Sequence, residues 1–249
     1  MKIKDVGSKL IAVVVILMIT TWSYGQVIRS GEIVFEKRTN LEKRFEGTEV
    51  RGGRSNDWIK EPKIDEYVLY FNDSSSVFQP ILPEIGDDDR EWATMKNTSY
   101  QNFNSNILER EFSFYGSKFY LKDSLRKREW IITGNVRTIA GFKTKQALWV
   151  ANDSTNIYAW YSEQILPSVG PESFNGLPGA ILGLALEDGG VVYFAKEVKT
   201  LSKKSFVNEM PKGKEKDYYT NDRLKAYVVE LFSNRGGSGG RILDDIFVW

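Results

Sequence analysis

Ser99 to Tyr161 reads SYQNFNSNILEREFSFYGSKFYLKDSLRKREWIITGNVRTIAGFKTKQALWVANDSTNIYAWY. Short runs rich in aromatic and β-branched residues recur in it: Ser99–Asn104, Leu108–Tyr115, Lys118–Asp123, Arg128–Ile132, Asn135–Ile139, Phe142–Trp149 and Asn156–Tyr161. Turn-forming groups separate several of them, namely Gly116-Ser117, Thr133-Gly134, Gly141 and Ala151-Asn152-Asp153. Strands at this spacing, with no helical pattern between them, predict an antiparallel meander rather than βαβ units.

Working outward, Glu32–Lys37, Asp65–Asn72, Ser76–Gln79 and Gly190–Val198 have strand composition, and Asn72-Asp73-Ser74 reads as a turn. Asn40–Lys60 reads as a charged loop or hairpin, and Pro80–Glu91 as a break carrying Asp87-Asp88-Asp89. That acidic run lacks the full spacing of a calcium loop and is read as a solvated turn. Near the carboxyl end, Thr220 or Asn221 can cap a helix over 222–232, with Leu224, Tyr227, Val228 and Leu231 on one face. The expected fold is mainly β: a single curved antiparallel sheet, one C-terminal helix lying over it, and a rigid Gly/Pro loop.

Both termini are distinctive. Lys2, Lys4 and Lys9 precede the apolar run Leu10–Thr20, and Ser23-Tyr24-Gly25 places small residues before Gln26. This order predicts a cleavable secretory signal over 1–25, and no cysteine follows for lipid attachment. Residues 26–235 then form one β-rich domain, and 236–249 a Gly-rich tail with the apolar end Ile246-Phe247-Val248-Trp249. Export implies a periplasmic or extracellular address and no stable membrane insertion after cleavage.

Composition restricts the chemistry. The chain has 34 basic and 33 acidic residues, a balance that does not match nucleic acid. It has no cysteine and no histidine, so Ser-His-Asp and Cys-His sites, and the common zinc sites, are excluded. Carboxylate chemistry survives that exclusion, and Glu163, Glu172 and Glu187 are its nearest candidates, although nothing in their spacing makes two converge. No catalytic residue, metal or cofactor is assigned from the sequence.

The most distinctive segment is Gly170-Pro171-Glu172-Ser173-Phe174-Asn175-Gly176-Leu177-Pro178-Gly179-Ala180-Ile181. Gly170, Pro171, Gly176 and Gly179 are its structural turn residues, and Pro178-Gly179 predicts a type II turn. Such a loop can shape a ligand mouth, or it can be a buried corner that closes the core. Adjacent Trp160 and Tyr161 must face opposite sides of a strand, so one of them points outward. Under the first reading Trp160, Tyr161, Phe174, Leu177, Pro178 and Ile181 would contact a ligand or partner.

Gly176–Ile181 resembles the name-giving loop of the GLPGLI family of exported Bacteroidetes proteins, with Ala180 in place of leucine. Ala159-Trp160-Tyr161-Ser162-Glu163-Gln164-Ile165, the Gly170-Pro171 lead-in with Phe174, and Ile139–Ala147 resemble further family segments in the same order. Thr144 stands where many relatives have cysteine, and Gln146 where lysine is usual. The resemblance implies an envelope protein of a Gram-negative cell, linked to outer-membrane receptor systems, with a half-barrel sheet of the lipoprotein-carrier type. The resulting expectation is a non-enzymatic module that binds an apolar small molecule or an envelope protein. The alternatives are a carboxylate-dependent hydrolase and a structural component of an envelope complex.

Overall fold

The structure, a computed structural model, describes residues 27–46, 56–82, 90–114, 117–152, 155–201 and 218–233. The expected signal segment, the Asp87–Asp89 run and the tail from 236 lie outside these residues.

The described residues form twelve strands in one sheet. They are β1 (Gly31–Thr39), β2 (Lys63–Phe71), β3 (Ser75–Ile81), β4 (Asn97–Asn102), β5 (Ile107–Phe114), β6 (Ser117–Ser124), β7 (Ile131–Ile139), β8 (Phe142–Asn152), β9 (Thr155–Ser162), β10 (Ala180–Leu186), β11 (Val191–Thr200) and β12 (Tyr218–Tyr219). A one-turn helix α1 (Leu41–Arg44) follows β1, and α2 (Asn221–Ser233) closes the described chain. The order across the sheet is β12-β6-β5-β4-β3-β2-β1-β11-β10-β9-β8-β7. Thus β1 starts in the middle and the chain winds outward to β6. It then crosses to the far edge and winds back from β7 to β11, which pairs with β1.

That crossing bends the sheet. In a flat sheet ten strand spacings of about 4.8 Å would put β6 and β7 roughly 48 Å apart. The connector from Ser124 to Ile131 spans seven Cα steps, at most about 25 Å. The two edges must therefore curl toward each other. The inner face fills with Ile33, Phe35, Tyr67, Leu69, Phe71, Phe78, Ile157, Tyr161, Leu184 and Tyr193, all buried in one cluster. Tyr67 and Phe78 stack there at 4.7 Å between centroids.

The expected strands form, with three differences. Thr133-Gly134 is not a turn: Arg128–Ile132 and Asn135–Ile139 do not make two strands, and β7 runs on through Gly134. Two extra residues enter between the pairs Ile132–Ala147 and Val136–Lys145, and Gly134 takes φ +84° to absorb them. Strand β3 extends through Pro80 and Ile81, beyond the Ser75–Phe78 stretch that pairs with β4, so the missing proline N–H breaks no ladder there. The sheet is antiparallel except at β12, which runs parallel to β6 at Tyr120 and Leu121. Two residues carry no periodicity by which that pairing could be read.

Helix α2 forms as expected. Leu224 and Val228 are buried against Leu108, Phe112, Phe119 and Leu121, with Leu231 packed alongside. Tyr227 is more exposed and meets Phe119 and Tyr219 at ring distances of 5.9 Å. The Asn221 backbone N–H and its Nδ2 both donate to Asp123 Oδ2 at 2.9 Å, tying the start of the helix to the end of β6. Burial raises the Asp123 carboxyl, but hydrogen bonds from Asn221 and Ser124 outweigh it and hold the group below its ordinary value. A carboxyl depressed by folding stabilises above its unfolded pKa and loses that effect as pH falls through the folded one. Below the ordinary carboxylate range, α2 amides should therefore lose hydrogen-exchange protection before the β1–β2 amides do. Asp123→Ala should weaken the same attachment at neutral pH by about 1 kcal/mol in denaturant titration.

Candidate functional site

The Gly/Pro segment is a corner of the core. Phe174, Leu177 and Ile181 are buried, as are Gly170, Pro171 and Gly179. Close approach decides the glycines. A Cβ at Gly179 would lie 2.1 Å from the Ser162 carbonyl oxygen, and Gly179 itself has φ +137°. A Cβ at Gly170 would lie 2.9 Å from that of Ile181. The expected type II turn at Pro178-Gly179 lacks its closing bond: Ala180 N–H donates to Ile165 O, and Gly179 N–H donates to Leu177 O. Between Ile181 and Gly183 the β9–β10 register slips, so consecutive Ile181 and Leu182 are both buried.

Of the six residues expected to touch a ligand, Tyr161, Phe174, Leu177 and Ile181 are thus in the core. Pro178 is exposed at the turn. Trp160 does face outward, opposite to Tyr161, but the Arg137 guanidinium covers its ring at 3.5 Å. The three acids engage separate partners. Glu163 pairs with Lys145 at 2.8 Å, and Glu187 accepts from Asn156 and Tyr158. Glu172, at φ +58°, accepts from Tyr193 Oη and Asn97 Nδ2 beneath the loop. Burial, then the charge of Glu172, raises the Tyr193 phenol well above its ordinary value, which keeps it a donor.

A cavity of about 340 Å³ opens where the crossing segment meets the lead-in to this loop. Arg110 of β5, Arg126 and Arg128 of the connector, Ser173, and Asp123 and Ser124 at the end of β6 line it, with Leu108 and the first turn of α2. Arg128 is buried, and its Nη1 donates to Ser173 O at 3.1 Å. Its guanidinium lies 4.1 Å from the Phe174 ring and 5.2 Å from that of Trp149, while Arg126 lies 4.6 Å from Trp149. Trp130 Nε1 donates to Asn175 O at 3.0 Å, pinning the connector to the loop. The loop's buried aromatic residue therefore serves as the floor on which the cavity's arginine rests. Arg110 is buried 3.9 Å from the Glu172 carboxylate. Burial lowers it, while Glu172 and Tyr193 oppose that shift.

Sequence reading missed these arginines. One signal was present: in Leu108-Glu109-Arg110-Glu111-Phe112 the two-residue period puts Arg110 on the face of two core residues. For Arg126 and Arg128 no local signal exists, because their setting depends on the crossing.

Two substitutions follow from this geometry. Gly179→Ala meets a backbone carbonyl and a strained φ together, and should cost about 3 kcal/mol in urea unfolding. Glu172→Ala leaves Tyr193, Asn97 and the Arg110 cation without their shared acceptor, and should cost about 3–5 kcal/mol by the same measurement.

Residues 116–183 match the family model described as a protein of unknown function (Porph_ging). No protein of curated function matches the sequence. Among solved structures, two crystal forms of PNGF-II, in space groups C2 and P21, are similar with TM-scores of 0.50 and 0.49 and 16% identity. Each alignment covers 80% of this chain but 32% of that one, so the chain spans about a third of PNGF-II. At that identity the likeness is one of fold alone. The segment from the start of β6 into β10 is thus similar to the Porph_ging family, consistent with the GLPGLI-type resemblance of its loop.

Proposed function

We propose that the chain is an exported, non-enzymatic binding module that holds a small ligand in the cavity between the connector, β5, β6 and α2. The cavity carries this reading: its volume of about 340 Å³ falls in the range of small-molecule sites. Its walls come from β5, the end of β6, the connector, Ser173 and the start of α2, which the Arg128–Ser173 and Asn221–Asp123 hydrogen bonds tie together, so it is preformed. Pre-organised walls lower the ordering cost of binding. The inner face of the sheet is packed with its own side chains, which supports placing the ligand here rather than on the apolar loop. The address across a membrane rests on the amino-terminal pattern of residues 1–25.

Ser124 is exposed at the cavity wall, so Ser124→Trp obstructs the cavity without touching the core. In a thermal-shift panel of neutral, cationic and anionic small molecules, at least one compound should raise the Tm of the wild-type chain but not of this variant. A panel in which no compound separates the two proteins would overturn the reading.

A further inference from the structure

We infer that the cavity recognises an oxyanion, held by the guanidinium groups of Arg110, Arg126 and Arg128. This rests on the reading of the cavity as a ligand site and adds the chemical class of what enters it.

Three arginines and Lys225 line the cavity against two carboxylates, those of Asp123 and Asp222. Asp123 is engaged at the helix start by Asn221 and is also bonded by Ser124, so its charge serves the fold. Glu172 lies 3.9 Å from Arg110 and also accepts hydrogen bonds from Tyr193 and Asn97.

Arg128 is the sharpest case. It is 8% exposed, and its Nε has no hydrogen-bond partner among the described residues. A buried donor left unmade is costly, and native proteins avoid it unless another group supplies the bond. The same side chain faces the positive charges of Arg126 and Arg110. Burial first, and those two neighbours second, push it down to about 9. At neutral pH it remains a cation, so like charges are held together in a partly desolvated space. An incoming anion offsets that repulsion.

Two of these groups are positioned by rings: Arg128 lies over Phe174 and Arg126 over Trp149. The donor edge of a guanidinium matches the paired oxygens of a carboxylate or a phosphate. The shared chemistry is an oxygen anion able to accept two or more such bonds.

The test uses the chain without its first 25 residues, at pH 7 and fixed ionic strength balanced with chloride. Tryptophan fluorescence is followed while sodium phosphate is titrated in one arm and sodium acetate in the other, since Trp149 reports on Arg126. Wild type should show saturable binding in at least one arm, and the tighter arm identifies the phosphate or the carboxylate source. Arg126→Gln should weaken it at least tenfold, whereas Lys118→Gln, an exposed change elsewhere on β6, should leave it unchanged. Arg128→Met should abolish the response; if that variant does not fold, the exposed Arg126 variant still decides. Equal responses in wild type and Arg126→Gln would overturn the inference, as would no response to either anion. If anions fail while a neutral or cationic compound is still excluded by Ser124→Trp, the binding reading survives and the charge assignment alone falls.

Discussion

A six-residue connector, Leu125–Trp130, joins two strands that lie near opposite ends of a twelve-stranded sheet. Its reach is about half of what a flat sheet would require. Every larger feature depends on that shortfall. The sheet curls because its edges are tied, the core forms on the inside of the curl, and the tie itself becomes a wall. Since the tie is polar at Arg126, Lys127, Arg128 and Glu129, it adds charge beside the buried Arg110 of β5.

The Gly/Pro segment completes this arrangement. Trp130 bonds to Asn175, and Arg128 bonds to Ser173 and rests on Phe174. Asn175 in turn donates to Gln101 of β4 at 2.6 Å, and Glu172 reaches Asn97 of the same strand. The loop thus bridges the connector and the first meander. Its apolar residues face the core and its backbone carbonyls face the crossing. Its tight turns set those carbonyls within reach of two cationic or N–H donors that lie some 45 residues away in sequence.

Much of the fold was legible in the sequence because strands and turns are local. Asn72-Asp73-Ser74 forms its turn through Asn72 Oδ1 accepting from the backbone N–H groups of Ser74 and Ser75, as its residue types imply. Helix α2 followed from the spacing of Leu224 and Val228. What was not legible was non-local. Gly134 marks a bulge in a strand as readily as a turn between two, and only pairing with β8 distinguishes them. Phe174 and Leu177 look alike as ligand contacts or core residues until the curl decides which side is inside. The arginines lie far apart in sequence, Arg110 on one strand and Arg126 and Arg128 beyond the next, and acquire a common role only when the edges are drawn together.

The bulge at Gly134 has a further consequence for how the protein behaves in company. Strand β7 is nine residues long, lies at the open end of the sheet, and exposes Ile131, Ile132 and Val136. A straight edge of that kind is a template on which another chain can add a strand and begin an aggregate. The two inserted residues interrupt the regular spacing of backbone donors and acceptors midway along it. An arriving strand therefore finds two short stretches of matching register in place of one long stretch, and the sheet is protected from indefinite growth by an irregularity in its own last strand.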